Sequence, residues 1–211
     1  MAITGTVLRD EVLANLEIGA TDESKFKVFD NLNAAQLQLL NVLPRQFLRE
    51  AIRNFLFDLE TETEYQWPNN FIRFVELYVN YTAAITQDAP GVIVYEFNQE
   101  EQIEDINSVA TTAYPYVEMD LQGGFRIYPK PTAITKGGKL RYVAKVQTIS
   151  ASVNSELSPA LQNLLIFKAT ALSALVENYR PELAKQFQQM YTDELAGFLP
   201  KDEPKVKRGT G

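Results

Sequence analysis

Two acidic segments hold the carboxylates that could do chemistry. Segment 58–64 places Glu60, Glu62 and Glu64 at alternate positions, and segment 96–105 places Glu100, Glu101 and Glu104 close together. Two carboxylates can act as acid and base in glycoside hydrolysis, and carboxylate oxygens also bind Mg²⁺ or Ca²⁺. The same charges equally describe a solvated acidic face, or one that lines an interface. The segments therefore leave open a carboxylate- or metal-dependent hydrolase and a protein with an acidic surface.

The composition removes most other kinds of catalytic site. The 211 residues include no Cys and no His, which excludes thiolate nucleophiles, Cys/His zinc sites and His general bases. The Gly123-Gly124 and Gly137-Gly138 pairs have the sequence context of turns, and no phosphate-binding motif follows them. We therefore expect neither a cofactor nor a metal, and we assign no catalytic residue.

The second half of the chain contains a basic stretch. Residues 1–120 have a net charge of −13 and residues 121–211 a net charge of +6, within a total of −7. The stretch could contact nucleic acid, form an exposed sheet face, or complement the acidic segments of a neighbouring copy. The last interpretation rests on symmetry, because different patches on identical chains pair head to tail and can close a ring. It predicts an inter-subunit basic face of Arg126, Lys130, Lys139, Arg141 and Lys145, opposite an acidic face of Glu60, Glu62, Glu64, Glu100, Glu101 and Glu104.

The elements that must position these residues follow from hydrophobic periodicity. Helical spacing of apolar residues predicts helices over 6–17 and 31–43, with a further helical stripe over 47–55. Ser158-Pro159 and Pro181 each predict the start of a later helix, and Asn98 predicts the cap of a short acidic one. Alternation predicts strands over 57–65 and 139–148, aromatic and β-branched residues favour a strand over 71–79, and another short strand is expected over 92–97. A hairpin of 116–121 with 125–129 is predicted around Gln122-Gly123-Gly124.

These elements predict an α+β fold. Helices from 1–56 and 150–199 are expected to form a bundle of N- and C-terminal helices, and 57–149 is expected to be a β-rich central insertion. Residues 200–211 contain two prolines and mostly polar or charged side chains, which predicts an extended C-terminal tail. No run approaches ~18 apolar residues, so we expect no membrane partner.

The order of these features resembles that of the tailed-bacteriophage head-to-tail adaptor, or connector, proteins. The resemblance lies in Asn-Ala-Ala-Gln at 33–36, in Gly-Gly-Phe-Arg-Ile-Tyr-Pro-Lys-Pro at 123–131, and in the final pair of helices. It covers about residues 5–199, although segment 80–113 has no counterpart that can be aligned.

The resemblance implies a structural virion protein and not an enzyme. Such adaptors form a ring, typically a dodecamer, at the head–tail interface of the virion. The ring joins the portal protein to a tail or nozzle protein and lines the channel through which double-stranded DNA passes without specific binding. The helical segments would face the portal, and the C-terminal tail would dock onto it, which assigns portal binding to Lys201, Lys205, Val206, Lys207 and Arg208.

Overall fold

The computed structural model describes residues 4–61, 64–97, 105–120 and 123–200. Its helices are α1 (Gly5–Leu16), α2 (Val28–Val42), α3 (Ile106–Val109), α4 (Gln162–Leu175) and α5 (Pro181–Ala196). Its strands are β1 (Ile52–Leu59), β2 (Phe71–Val79), β3 (Val92–Glu96), β4 (Tyr116–Asp120), β5 (Gly124–Tyr128) and β6 (Ile134–Ala144).

The chain divides into two compact units. The first consists of the described residues of Met1–Glu50 and Val146–Gly211, and the second of those of Ala51–Lys145. In the first unit, α4 packs against α1, α2 and α5. Most of α4 is apolar on every side, and this composition suits a helix surrounded by others.

Two polar side chains of α2 connect it to the extended chain after residue 145. The Asn33 amide donates to the carbonyl of Ile149 at 3.0 Å and accepts from its N–H at 2.7 Å. Gln36, which is buried, donates to the carbonyl of Gln147 at 2.9 Å and accepts from the Ser155 hydroxyl at 3.2 Å. These bonds satisfy backbone groups that have no partner in a helix or sheet.

The second unit contains a six-stranded mixed sheet in the order β1-β6-β2-β3-β4-β5. All neighbouring strands are antiparallel except β3 and β4, which pair in parallel through Tyr95–Tyr116 and Glu96–Val117. The long strand β6 lies between β1 and β2.

The sheet curls, so that its two outermost strands meet through aromatic side chains. The ring of Phe125 in β5 lies 5.7 Å from that of Phe57 in β1, and Tyr65 forms an isolated bridge with Phe125. Gly138 of β6 allows this packing, because a Cβ there would lie 2.3 Å from the Phe57 ring. The core of this unit includes the fully buried Leu77, Val117 and Leu140.

This architecture corrects the predicted fold. The α+β prediction is right only in that helices and strands are both present, and the predicted bundle of N- and C-terminal helices carrying a β-rich insertion is wrong. The strands form one curled six-stranded mixed sheet, and α1, α2 and α5 each pack against α4.

Three local predictions also need correction. Residues 45–47 and 49–51 form short 3₁₀ turns and residues 52–59 form β1, so the helical stripe predicted over 47–55 does not exist. The strand predicted over 57–65 therefore starts earlier and ends at Leu59. Gly137-Gly138, which suggested a turn, lies inside β6. The short acidic helix predicted after Asn98 falls largely on residues 98–104, which lie outside the described residues. Asp105 is described, and its side chain caps α3.

Candidate functional site

The predicted inter-subunit basic residues fall into two groups on the sheet. Arg126 lies in β5 with Lys130 just after it, whereas Lys139 and Arg141 lie in β6 with Lys145 just after it. Strands β2, β3 and β4 separate β6 from β5 in the sheet order. The five cations therefore come from two strands that are not hydrogen-bonded neighbours.

Arg141 forms an ion pair within the chain. It lies directly opposite Glu76 across β6 and β2, and its guanidinium donates to the Glu76 carboxylate at 2.5 Å. The Tyr78 hydroxyl donates to the same carboxylate at 3.0 Å. Both charged side chains are partly shielded from solvent, so this charge-assisted pair is better defined than an exposed one.

Arg126 is paired in the same way, but nearer to solvent. Its guanidinium donates to the Glu64 carboxylate at 3.2 Å. This hydrogen bond, together with the negative charge of Glu64, raises the pKa of Arg126. Two of the five predicted basic residues are thus engaged by carboxylates of their own chain.

The acidic face is described only in part. Glu62, Glu100, Glu101 and Glu104 lie outside the described residues. Glu60 is exposed, and its backbone N–H and carbonyl bond to the Tyr65 hydroxyl at 3.0 and 3.3 Å. Glu60 and Glu64 border an open cleft of about 330 Å³ together with Arg126 and Lys130. Acids and bases predicted to meet between copies therefore also meet within one chain.

A row that contains Lys139 and three residues that the sequence analysis did not single out crosses four strands. Leu56 of β1 lies opposite Lys139 of β6, Lys139 opposite Tyr78 of β2, and Tyr78 opposite Ile93 of β3. We call these four residues the cross-strand row. Leu56 is 44% exposed and Ile93 41%, and the Lys139 ammonium lies 5.6 Å from the centre of the Tyr78 ring. Only the strand register reveals the row, because its members come from four separate segments.

The predicted portal-binding residues Lys201, Lys205, Val206, Lys207 and Arg208 lie outside the described residues. Within the part of the chain that is described, no group of three or more acidic residues could hold a metal ion. None of the described helices is long and apolar enough to cross a membrane.

The family model of the SU10 adaptor protein matches residues 4–208. This chain belongs to the SU10 adaptor protein family. No curated protein matches the sequence significantly. The match spans nearly the whole chain, and it confirms the predicted relationship to the phage head-to-tail adaptors.

Membership in this family identifies a structural adaptor protein of a bacteriophage, a virion component that acts in tail assembly. The adaptor role implies contacts with portal and tail proteins. It also implies a structural function.

Proposed function

We propose that this SU10-family adaptor assembles into a homo-oligomeric ring, a dodecamer, that connects the portal vertex to the tail and surrounds the DNA channel. The observation that carries the proposal is the family match, which extends across both compact units. An adaptor of one chain type needs a surface for the portal, another for the tail and two more for its neighbours. Identical chains that pair through two different surfaces close into a ring when the rotation allows it.

The charges of the chain support passage of DNA without specific binding. The net charge of −7 disfavours sequence-independent attraction of phosphates. The carboxylates of Glu64 and Glu76 further compensate Arg126 and Arg141, which would otherwise be strong phosphate ligands. An acidic channel lining would repel the genome and keep it from adhering during ejection.

Portal binding is assigned to the tail, 200–211, with segments 1–56 and 150–199 on the portal side. Lys205-Val206-Lys207 would add to an exposed strand edge of the portal through main-chain hydrogen bonds. The basic side chains of Lys201 and Arg208 would steer the encounter with an acidic portal surface. Ordering such a segment costs much of its gross binding energy, so repetition around the ring would supply the affinity.

Contacts between subunits would involve the basic residues Arg126, Lys130, Lys139, Arg141 and Lys145. Arg126 and Arg141 are already paired within the chain, so Lys130, Lys139 and Lys145 are the members best placed to meet acids of a neighbouring copy. Ion pairs at such exposed positions each contribute only about 0–1 kcal/mol, so apolar contact must supply most of the affinity.

The test compares three proteins with purified portal: the full chain, the chain ending at residue 199, and a chain whose last twelve residues are replaced by Gly and Ser. Co-sedimentation measures binding, and electron microscopy of the complex counts the subunits. We expect rings on the portal with the full chain only, and equal thermal melts for all three. If both altered chains bind the portal as well as the full chain does, the tail is not part of the portal contact. A portal complex without a ring of adaptors would refute the proposed function itself.

A further inference from the structure

The cross-strand row presents an apolar surface with one positive charge near its centre. Directly opposed residues of antiparallel strands project to the same face, so Leu56, Lys139, Tyr78 and Ile93 share one side of the sheet. The alternate residues Leu140, Leu77 and Val94 are buried on the other side. With strands ~4.8 Å apart, the row extends across roughly 14 Å.

This surface has the properties of a protein contact. Leu56 and Ile93 leave much of their side chains in solvent at its two ends. The ring of Tyr78, with Lys139 above it, forms the middle. An exposed row of apolar and aromatic side chains across several strands is more typical of an interaction site than apolar residues scattered singly.

A second surface of the same chain has the complementary pattern. Val7, Glu11 and Ala14 are exposed on α1 at positions i, i+4 and i+7, while Leu8 and Val12 are buried on its inner side. The distance from Val7 to Ala14 along the helix is about 10 Å. The exposed face of α1 is therefore apolar at both ends and acidic between them, and it is similar in length to the row.

We propose that the cross-strand row of one copy receives the exposed face of α1 from a second copy, with Glu11 beside Lys139 and the apolar ends packed together. This inference rests on the proposed ring and names the contact that closes it. The two surfaces are different, so the contact is heterologous and propagates from copy to copy. The cation comes from the basic half of the sequence and the acid from the acidic half, which gives the charge asymmetry a structural role.

Two other occupants fit less well. If the row met itself, Lys139 would oppose Lys139, because an isologous contact brings the same patch to both sides. Helix α2 also exposes apolar side chains, with Leu37 at 42% and Val42 at 38%, but the residue between them on the exposed side is Asn41. The carboxylate of that helix, Asp30, lies in its first turn, about 10 Å along the axis from Leu37, and not between the two apolar residues.

Because the chain contains no cysteine, a thiol-specific crosslinker reacts only with the cysteines that are introduced by mutation. Leu56→Cys and Val7→Cys are prepared as separate full-length variants, mixed at equal concentration and treated with a short bismaleimide crosslinker. Leu37→Cys, which replaces an equally exposed side chain on α2, is the matched control for Val7→Cys. We expect covalent dimers in the mixture of Leu56→Cys with Val7→Cys at about fivefold or greater yield than in the mixture with Leu37→Cys.

The charges provide a second readout on the same mixture. Lys139→Glu in the Leu56→Cys protein should lower the yield about fivefold, and Glu11→Lys in the Val7→Cys protein should restore it. Equal yields with Val7→Cys and Leu37→Cys, or dimers of Leu56→Cys with itself as the main product, would overturn the inference. Rings that form on the portal without this crosslink would refute the contact and leave the proposed function standing, since ring formation is scored separately by microscopy.

Discussion

The aromatic cluster around Phe125 gives the strongest prediction of stability, because it joins the two ends of the curled sheet. Phe125 is 2% exposed, and its ring lies 5.7 Å from Phe57, 5.3 Å from Tyr65 and 4.8 Å from Trp67. Phe125→Ala removes these contacts and leaves a cavity that strands β1 and β5 can fill only by moving. Such truncations of fully buried phenylalanine cost about 3–5 kcal/mol.

The only tryptophan of the chain reports on this unit directly. Trp67 stacks on Phe71 at 4.2 Å, so its emission follows unfolding of the sheet. With a denaturant slope near ~2 kcal/mol per molar, the predicted loss lowers the urea midpoint by about 2 M. Phe55→Ala is the matched control, because Phe55 in β1 is 41% exposed, and its cost should stay below ~1 kcal/mol. If the two variants lose equal stability, the cluster does not hold the sheet closed.

Three further predictions concern the helical unit. Asn33→Ala removes two hydrogen bonds to Ile149 and should cost about 1–3 kcal/mol in a urea titration followed by circular dichroism, whereas Asn41→Ala on the exposed side of α2 should cost less. The Tyr191 hydroxyl is buried and has no hydrogen-bond partner among the described residues, so Tyr191→Phe should leave the melting temperature unchanged or raise it; a clear fall would reveal a partner. Burial lowers the pKa of Lys168, so the unfolded chain binds this proton more tightly than the folded chain does. The stability of the unaltered chain relative to Lys168→Met should therefore rise with pH toward the ordinary lysine pKa of ~10.4. A stability difference that does not change with pH would refute the burial argument.

Local signals predicted the elements whose structure depends on neighbours in sequence. The run at 71–79 is β2, and the Gly123-Gly124 pair marks the turn between β4 and β5. Ser158-Pro159 also begins a helical turn, followed by α4 from Gln162. At each of these sites one residue type restricts the backbone strongly, so the sequence is informative without its tertiary partners.

The failures occurred where a distant partner decides the structure. Apolar residues at 47, 48, 51, 52 and 55 fit a helix, but Phe55, Phe57 and Leu59 also fit a strand. Pairing with β6 decides between these patterns, since Ile52 lies opposite Val143 and Phe57 opposite Gly138. These partners are 91 and 81 residues away, and a local pattern carries no information about them.

The prediction of charged sites is limited in the same way, because partners that are distant in sequence decide which charges meet. The asymmetry of charge between the halves of the chain suggested complementary surfaces on different copies. Glu76 and Arg141 are 65 residues apart and Glu64 and Arg126 are 62 apart, yet each pair forms within one chain. Charge composition reveals that acids and bases can meet, but only the strand register determines whether they meet inside a subunit.

The register also separates cations that serve the fold from those available to a partner. Along β6, Arg141 and Lys139 point to the same face two residues apart, and β2 places Glu76 opposite the first and Tyr78 opposite the second. The carboxylate compensates the charge of Arg141 within the subunit. An aromatic ring holds the Lys139 ammonium by its face but leaves its net charge in place, so Lys139 can still attract a carboxylate from another molecule. A one-residue shift in this pairing would turn the side chains of one strand to the opposite face of the sheet. Which residues form the cross-strand row therefore depends on the bulges that set the register between Phe71 and Glu76.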